Sequence, residues 1–256
     1  KSFSWRASVL RIATQAQNIS AATLGSVLIV HMAAPVVASL ARGSVGLDMA
    51  NQTLLLGREY YQQALLEPVL VWGSLCVHLI SSAIRRSILP RARVSWLEAA
   101  RDAGWWQKVA GTLLVPVLAI HVCVNRLVPM QDSMPIMQLS PSELDMSHVS
   151  VGFARHPMIM WCIYTSLCIA GAAHIMGGGA KIARRRGMQT RISYGVLAGV
   201  GLAGMLLLGT YTIAKNGAIG VSSLMQERIM ACYREVWPYS VLRLSLIHIS
   251  EPTRRY

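Results

Sequence analysis

The chain is poor in acidic residues and in phenylalanine, and few of its side chains are charged at all. It has 11 Asp and Glu against 24 Lys and Arg, only two Phe, and a charged fraction of 14% over 256 residues. Hydrophobic residues make up 54%, and the mean hydropathy is +0.44. A water-soluble surface does not tolerate so apolar a composition, which therefore excludes a soluble globular domain and predicts an integral membrane protein.

Recognisable motifs of metal, redox or hydrolytic chemistry are also lacking. The five cysteines have no CxxC spacing, so neither a disulfide framework nor a structural zinc site is predicted. The few acids lie mainly in loops, and the triple glycine at 177–179 follows no strand, which excludes a phosphate-binding loop. No catalytic residues are therefore assigned, and an enzyme is not expected. Because the basic residues fall between hydrophobic runs, they indicate membrane lipids as partners and not nucleic acid.

Five apolar runs are each long enough to cross about 30 Å of hydrocarbon. They lie near 20–41, 66–89, 109–128, 157–180 and 192–214. The sequence therefore predicts an all-α, five-helix membrane bundle over 20–214. The loops near 85–108 and 181–191, on the side of the N-terminus, carry 11 of the 24 Lys and Arg, whereas the basic residues of the opposite side are diluted by acids. The positive-inside rule therefore places the N-terminus in the cytosol or its equivalent.

Two flanking segments look amphipathic. Residues 1–19 combine Trp5 and Ile12 with Arg6 and Arg11, and residues 215–243 repeat the pattern. Both are predicted to lie at the membrane interface, with a soluble lid packed on the bundle as the alternative for each. Residues 244–254 resemble the in-frame translation of a sequencing-library adapter, so 244–256 is interpreted as an artefact. The chain starts without methionine, and further residues are expected before Lys1.

The second and fourth spans resemble each other. Glu67-Pro68-x-x-x-Trp72 matches His156-Pro157-x-x-x-Trp161, and a histidine followed by small residues and a cation comes later in each span. The interval between the two pieces differs by seven residues, so the similarity holds in parts. It favours a two-helix unit used twice, and chance resemblance between apolar helices is the alternative.

Four histidines lie one apiece in the first four spans: His31, His78, His121 and His174. Consecutive spans run in opposite directions, so the spacing predicts two pairs at matched depths, His31 with His121 and His78 with His174. Facing imidazoles can fill both axial positions of a haem iron, which predicts one or two b-type haems with these four as the metal ligands. Arg85 and Lys181, one helical stretch of about 10 Å beyond their histidines, are candidate propionate partners.

Small residues beside these histidines, Ser81, Ser82 and Gly177 to Gly179, are expected to leave room for a flat macrocycle. The alternative is that each histidine hydrogen-bonds a hydroxyl or a carbonyl on a neighbouring helix. His148 and His156, in or beside the loop before the fourth span, are expected at the surface.

Three stretches carry a family resemblance: QNISAATLGSVLIVHMAAPVV (17–37), GREYYQQALLEPVLVWGSLCVHLISSAIRR (57–86) and VGFARHPMIMWCIYTSLCIAGAAHIMGGGAKI (151–182). Over about residues 5–215 the chain resembles the transmembrane domain of the fungal mitochondrial adapter proteins of the MCP type. That fold is similar to the haem-bearing membrane anchors of succinate dehydrogenase and fumarate reductase.

The resemblance implies a mitochondrial outer-membrane adapter in lipid homeostasis. Such proteins recruit a bridge-like lipid-transfer protein through a short proline-containing motif in a cytosolic N-terminal tail, a region that would precede Lys1. By analogy with the respiratory anchors, the four histidines are expected to bind haem b. The alternative function is a haem b anchor subunit for quinone-linked electron transfer in the mitochondrial inner membrane. A third reading is a lipid-handling bundle without a cofactor.

Overall fold

A computed structural model of the chain describes residues 5–41, 43–89, 102–188 and 192–240. Part of the basic loop near 85–108 and the suspected artefact at 244–256 lie outside these ranges. Every long element in the described ranges is helical. Five helices are long and apolar enough to cross a membrane: α1 (Trp5–Ala41), α3 (Glu67–Ile88), α4 (Ala103–Met130), α6 (Pro157–Arg185) and α7 (Ile192–Asn216). The predicted all-α, five-span membrane bundle is confirmed.

Three shorter helices join them: α2 (Gly43–Tyr61), α5 (Met146–Arg155) and α8 (Ser223–Arg234). α1 packs against α2, α3 and α7, while α4 packs against α6, and α6 against α7. Two of the spans contain π-helical segments, Glu67–Gly73 at the start of α3 and Cys123–Leu127 near the end of α4. Pro68 lies in the first turn of α3, where a backbone N–H would have no partner within the helix, so the proline costs no hydrogen bond.

α1 is longer than a bilayer requires. Its 37 residues run without interruption from Trp5 to Ala41, which corresponds to about 55 Å at 1.5 Å per residue. The part of the amphipathic segment 1–19 that the structure describes is therefore the first four turns of the same helix that crosses the membrane. Because the hydrocarbon is about 30 Å thick, α1 extends beyond it.

α1 and α2 form a tight helical hairpin at the end of the bundle opposite the N-terminus. The chain reverses at Gly43, which has a φ of +58° that suits a residue without a side chain. Small residues then let the two helices approach closely: Ala34, Ala38 and Ala50 are fully buried, and Gly46 lies against the backbone of Ala38.

The hairpin is one part of a folded cap at that end, made of residues 43–61, 131–155 and 217–240. Its core contains apolar side chains from the connecting segments and helices, namely Ile136, Leu139, Leu144, Phe153, Ile229 and Tyr233. Arg228 of α8 donates to the Ile136 carbonyl (3.0 Å) and to Glu143 (2.8 Å), which joins α8 to the loop after α4. On the apolar face of the segment at 215–243, Ile229, Cys232 and Val236 are buried in this cap, whereas Trp237 is exposed.

Candidate functional site

The four histidines of the spans meet in two pairs across the bundle. The ring centres of His31 on α1 and His121 on α4 are 6.1 Å apart, and those of His78 on α3 and His174 on α6 are 6.0 Å apart. The first pair, here called the cap-side pair, lies toward the cap. The second, the basic-side pair, lies toward the N-terminal face, level with Ser20 of α1. Eleven residues of α1 separate the two levels, or about 16 Å.

The cap-side pair is held by groups that the hydropathy pattern did not single out. Nδ1 of His31 is 3.0 Å from the Tyr61 hydroxyl at the end of α2. Nδ1 of His121 is 3.4 Å from the Asn125 side-chain nitrogen, and that amide also donates to the His121 carbonyl at 2.8 Å. The ring of Tyr164 lies edge-on to His121, with centres 5.7 Å apart.

The basic-side pair has a comparable set of partners. Nδ1 of His78 is 3.4 Å from the Ser20 hydroxyl. Nδ1 of His174 is 3.1 Å from the Gln107 carbonyl on α4, and its ring packs on Gly111, where a Cβ would come within 2.5 Å. Any side chain at position 111 would therefore displace the His174 ring.

A common feature of all four rings is a polar partner at Nδ1. In metal-binding histidines an acceptor at Nδ1 fixes the ring orientation and holds the proton there, as the Gln107 carbonyl does at His174, so that Nε2 is free to face a metal. The partner of His121 differs, because the Asn125 amide nitrogen is a donor and favours the proton on Nε2. Two imidazoles on one metal, each bonded at about 2 Å, have ring centres about 6 Å apart, which agrees with both observed spacings.

The donor set narrows the kind of metal centre. The described residues contain no cluster of three or more His, Cys, Asp or Glu side chains that could hold a metal ion by themselves. Each pair of imidazoles offers two ligands, so a metal bound there would need further groups to complete its coordination, as the macrocycle of a haem would. The two-histidine set does not suit a structural zinc or a carboxylate-bound metal.

The candidate propionate partners lie on the expected face, and both are engaged with glutamines. Arg85 donates to the Gln17 side chain on α1. Lys181 donates to the Gln107 side chain (2.7 Å) and to the Gly104 carbonyl (3.4 Å). Both cations keep further N–H donors beside these bonds, Nε of Arg85 among them, and a propionate would attract them because ionised acceptors make stronger hydrogen bonds.

The glycines after His174 serve helix packing and not, as expected, the accommodation of a flat macrocycle. A Cβ on Gly177 would come within 2.9 Å of the Gln107 side chain, and Gly178 also faces Gln107. These glycines therefore let α4 and α6 approach closely, and only Gly179 borders open space. Ser81 is buried. The room for a flat ring expected at 177–178 is filled by α4.

Three buried polar features were missed. His148, expected at the surface, is 2% exposed; its Nε2 donates to the Val124 carbonyl (3.2 Å), and its ring stacks on Tyr233. Burial lowers the pKa of His148 to about 4. A loop position gave no hint of this, although His148 does fall on the apolar face of the short helix α5. His156 is partly buried beside Tyr239.

The other two features are charged. Glu67 at the start of α3 accepts two hydrogen bonds from Arg126 near the end of α4, at 2.7 and 2.5 Å, and is itself 8% exposed. Arg58 of α2 donates to the carbonyls of Pro141 and Leu144, and burial lowers its pKa. Glu67 and Arg126 stand at the ends of two spans, so the sequence could have indicated their pairing. The partners of Arg58 are backbone carbonyls in a loop, and no residue pattern predicts such partners.

Comparison with known proteins bears on the second half of the bundle. Residues 116–226 match the family model described as MDM10-complementing protein 1, transmembrane domain. The match begins in α4 and ends in α8, so it includes His121 and His174 and supports the predicted likeness to the MCP-type adapters over that part. No curated protein and no solved structure matches the chain, and the expected likeness to the respiratory membrane anchors is not supported.

Proposed function

We propose that this chain is a mitochondrial outer-membrane adapter of the MCP type that acts in lipid homeostasis. The observation that carries the proposal is the match of residues 116–226 to the transmembrane domain of MDM10-complementing protein 1. The five-span bundle agrees with a domain of that description. The basic N-terminal face favours a cytosolic N-terminus, from which a preceding tail can recruit a bridge-like lipid-transfer protein.

The name of the matched family defines a direct test. The chain is expressed with a mitochondrial marker in cells that lack MDM10, beside the empty vector. We expect it to reach mitochondria and to restore the mitochondrial defect of those cells. A chain that reaches the outer membrane at normal abundance and restores nothing would count against the adapter. A second arm isolates the protein, extended by its natural upstream residues, and probes for a co-purified bridge-like lipid-transfer protein.

Haem binding is the second part of the proposal, and the spacing of the two histidine pairs supports it. His31 with His121, and His78 with His174, would hold the iron through Nε2 while the Nδ1 partners orient the rings. At His121 this requires the Asn125 amide to turn so that its oxygen accepts from Nδ1. When bound, haem supplies a one-electron redox centre. The pairs are partly buried and would limit its contact with water. Arg85 and Lys181 would neutralise propionates on the basic side.

A reduced-minus-oxidised spectrum of the purified protein, made with haem available, tests this part. We expect a b-type signal that falls by about half in His78→Ala or His174→Ala, since each variant removes one of two centres. His156→Ala, which changes a histidine outside both pairs, should keep the full signal. A colourless wild-type preparation would leave the histidines as hydrogen-bonding groups. Rapid reduction of the haem by a quinol would favour the alternative, an electron-transfer subunit.

A further inference from the structure

A groove opens between α3 and α4 near the N-terminal face of the membrane. Its volume is about 550 Å³. It is lined by Arg86, Trp105, Lys108, Val109, Thr112 and Leu113. Arg86 donates to the Thr112 hydroxyl at 3.1 Å and so joins the two helices at this level. Away from this contact α3 packs mainly on α1, and α4 on α6, which leaves the groove between the two helix pairs.

The polar part of the groove is strongly positive. Arg86 and Lys108 are both exposed, and neither forms an ion pair with any residue in the described ranges. Arg86 uses one of its five N–H donors on Thr112. Two cations with free donors, at the membrane end of two neighbouring helices, form the arrangement that binds anionic headgroups.

Polarity changes along the groove in the direction of the bilayer normal. Trp105 lies in the first turn of α4, at the depth where tryptophan is enriched in membrane proteins. Lys108 follows one turn deeper, and Val109 and Leu113 follow after that. The step from Trp105 to Leu113 covers about 12 Å of helix. A phospholipid has the same order, with a charged headgroup outside and acyl chains inside.

We propose that this groove binds one anionic glycerophospholipid, whose phosphate lies between Arg86 and Lys108. One acyl chain then lies against Val109 and Leu113. Trp105 covers the glycerol region, where its indole has both an apolar face and an N–H donor. Thr112 keeps Arg86 turned toward the groove. The site needs neither haem nor the adapter role, so its test is independent of both.

A general attraction between lipid and the basic face is the rival explanation, because lysine and arginine at helix ends reach the headgroups of any anionic bilayer. The two explanations predict different places for the bound lipid, namely the groove alone or any part of the basic face. Arg184 and Arg185 lie exposed in the last turn of α6 on the same face, away from the groove lining. Loss of that pair removes the same charge and leaves the groove intact.

The purified chain is titrated with dioleoylphosphatidylglycerol or dioleoylphosphatidylcholine, and native mass spectrometry measures the dissociation constant of the first bound lipid. We expect the phosphatidylglycerol to bind at least tenfold more tightly than the phosphatidylcholine, because each of the two cations adds to the attraction for an anionic headgroup. Arg86→Gln with Lys108→Gln should abolish this preference, while Arg184→Gln with Arg185→Gln should keep it. Equal losses in the two double variants, or no preference in the wild type, would overturn the proposal.

Two further arms separate the headgroup from the chain. Leu113→Trp keeps both cations and fills the apolar end of the groove, so it should weaken the binding of the first phosphatidylglycerol at least fivefold. Glycerol phosphate, which has the anion without the chains, should not displace the lipid at equal concentration. An unaffected Leu113→Trp variant, or displacement by glycerol phosphate, would refute a lipid site. Circular dichroism and gel filtration check that each variant is folded.

Discussion

His148 is a titratable group sealed in the cap, and its surroundings favour the neutral form. It is stacked on Tyr233, with 5.4 Å between ring centres, and its Nε2 donates to the Val124 carbonyl. Its Nδ1 is buried without a partner in the described structure. Burial is the largest cause of its lowered pKa; the charge of Arg58 adds to it, and the Val124 carbonyl and Asp145 oppose it. Protonation therefore places a charge inside the cap at a cost in free energy.

Acid should therefore destabilise the protein through His148. Its pKa is about 4 in the folded protein and 6.5 in the unfolded chain, so stability is complete above pH 6.5 and is lost as pH falls toward 4. At pH 5 the expected loss is about 2 kcal/mol relative to pH 7. His148→Gln keeps a donor for Val124 and cannot be protonated. Its thermal midpoint in detergent should fall less between pH 7 and pH 5 than that of the wild type.

An equal fall in both proteins would show that other groups control the acid response. The wild-type curve alone cannot decide this, because the chain contains six other histidines. The difference between the two curves isolates the one side chain.

Which histidines are functional candidates could be predicted from the sequence, since a polar residue once per span stands out against an apolar background. Antiparallel spans then match their depths, and the structure brings the expected rings to about 6 Å. The partners could not be predicted. Tyr61 and Gln107 reach their histidines because of how α2 and α4 are rotated about their own axes, and hydropathy does not determine that rotation.

A close helix contact joins α7 to α1. A Cβ on Gly209 would lie 1.8 Å from the Pro35 carbonyl oxygen, far inside contact distance. Pro35 belongs to the part of α1 that the cap surrounds, and the neighbouring Ala34 and Ala38 are fully buried. Glycine is therefore required at 209 by the approach of two backbones, which have little freedom to separate.

Gly209→Ala should lower the free energy of unfolding by about 1–3 kcal/mol, as overpacking of a close contact does. Gly204, on the same helix, has nothing within 4 Å of its would-be Cβ. Gly204→Ala should therefore be neutral or slightly stabilising, because alanine favours a helix over glycine. Thermal unfolding followed by tryptophan fluorescence compares the two. Similar midpoints for both variants would contradict the packing argument.

The spans were predictable as elements because each is a continuous apolar run, but the cap was not. α2 mixes Asp48, Asn51, Arg58 and Glu59 with apolar residues, so it resembled a loop between spans. Its helix depends on contact with α1 through small residues such as Gly46 and Ala50. Such a contact joins residues of two helices, and neither segment alone reveals it.

At the scale of the whole molecule, the two faces of the bundle are chemically different. The N-terminal face ends in exposed cations such as Arg86, Lys108 and Arg184. The opposite face carries the folded cap, in which Glu143 pairs with an arginine, and the adjoining span ends, where Glu67 pairs with another. Basic residues resist translocation, and acids have little effect on it. The cationic face should therefore remain in the cytosol, and the cap should lie in the intermembrane space.

Two exposed methionines allow a matched test of this orientation. Met134 in the cap is 78% exposed, and Met188 just after α6 is 59% exposed. Each is changed to cysteine where Cys76 and Cys162 have been replaced by alanine, and intact mitochondria are treated with a maleimide whose polyethylene glycol is too large to pass the outer membrane. We expect Met188→Cys to react at once, and Met134→Cys to react only after the outer membrane is ruptured.

The reverse order would place the cap in the cytosol and would remove the basis for recruitment by an N-terminal tail. Protection of both sites in intact mitochondria, with only Met188→Cys remaining protected after rupture, would indicate the inner membrane, the location that the electron-transfer alternative requires.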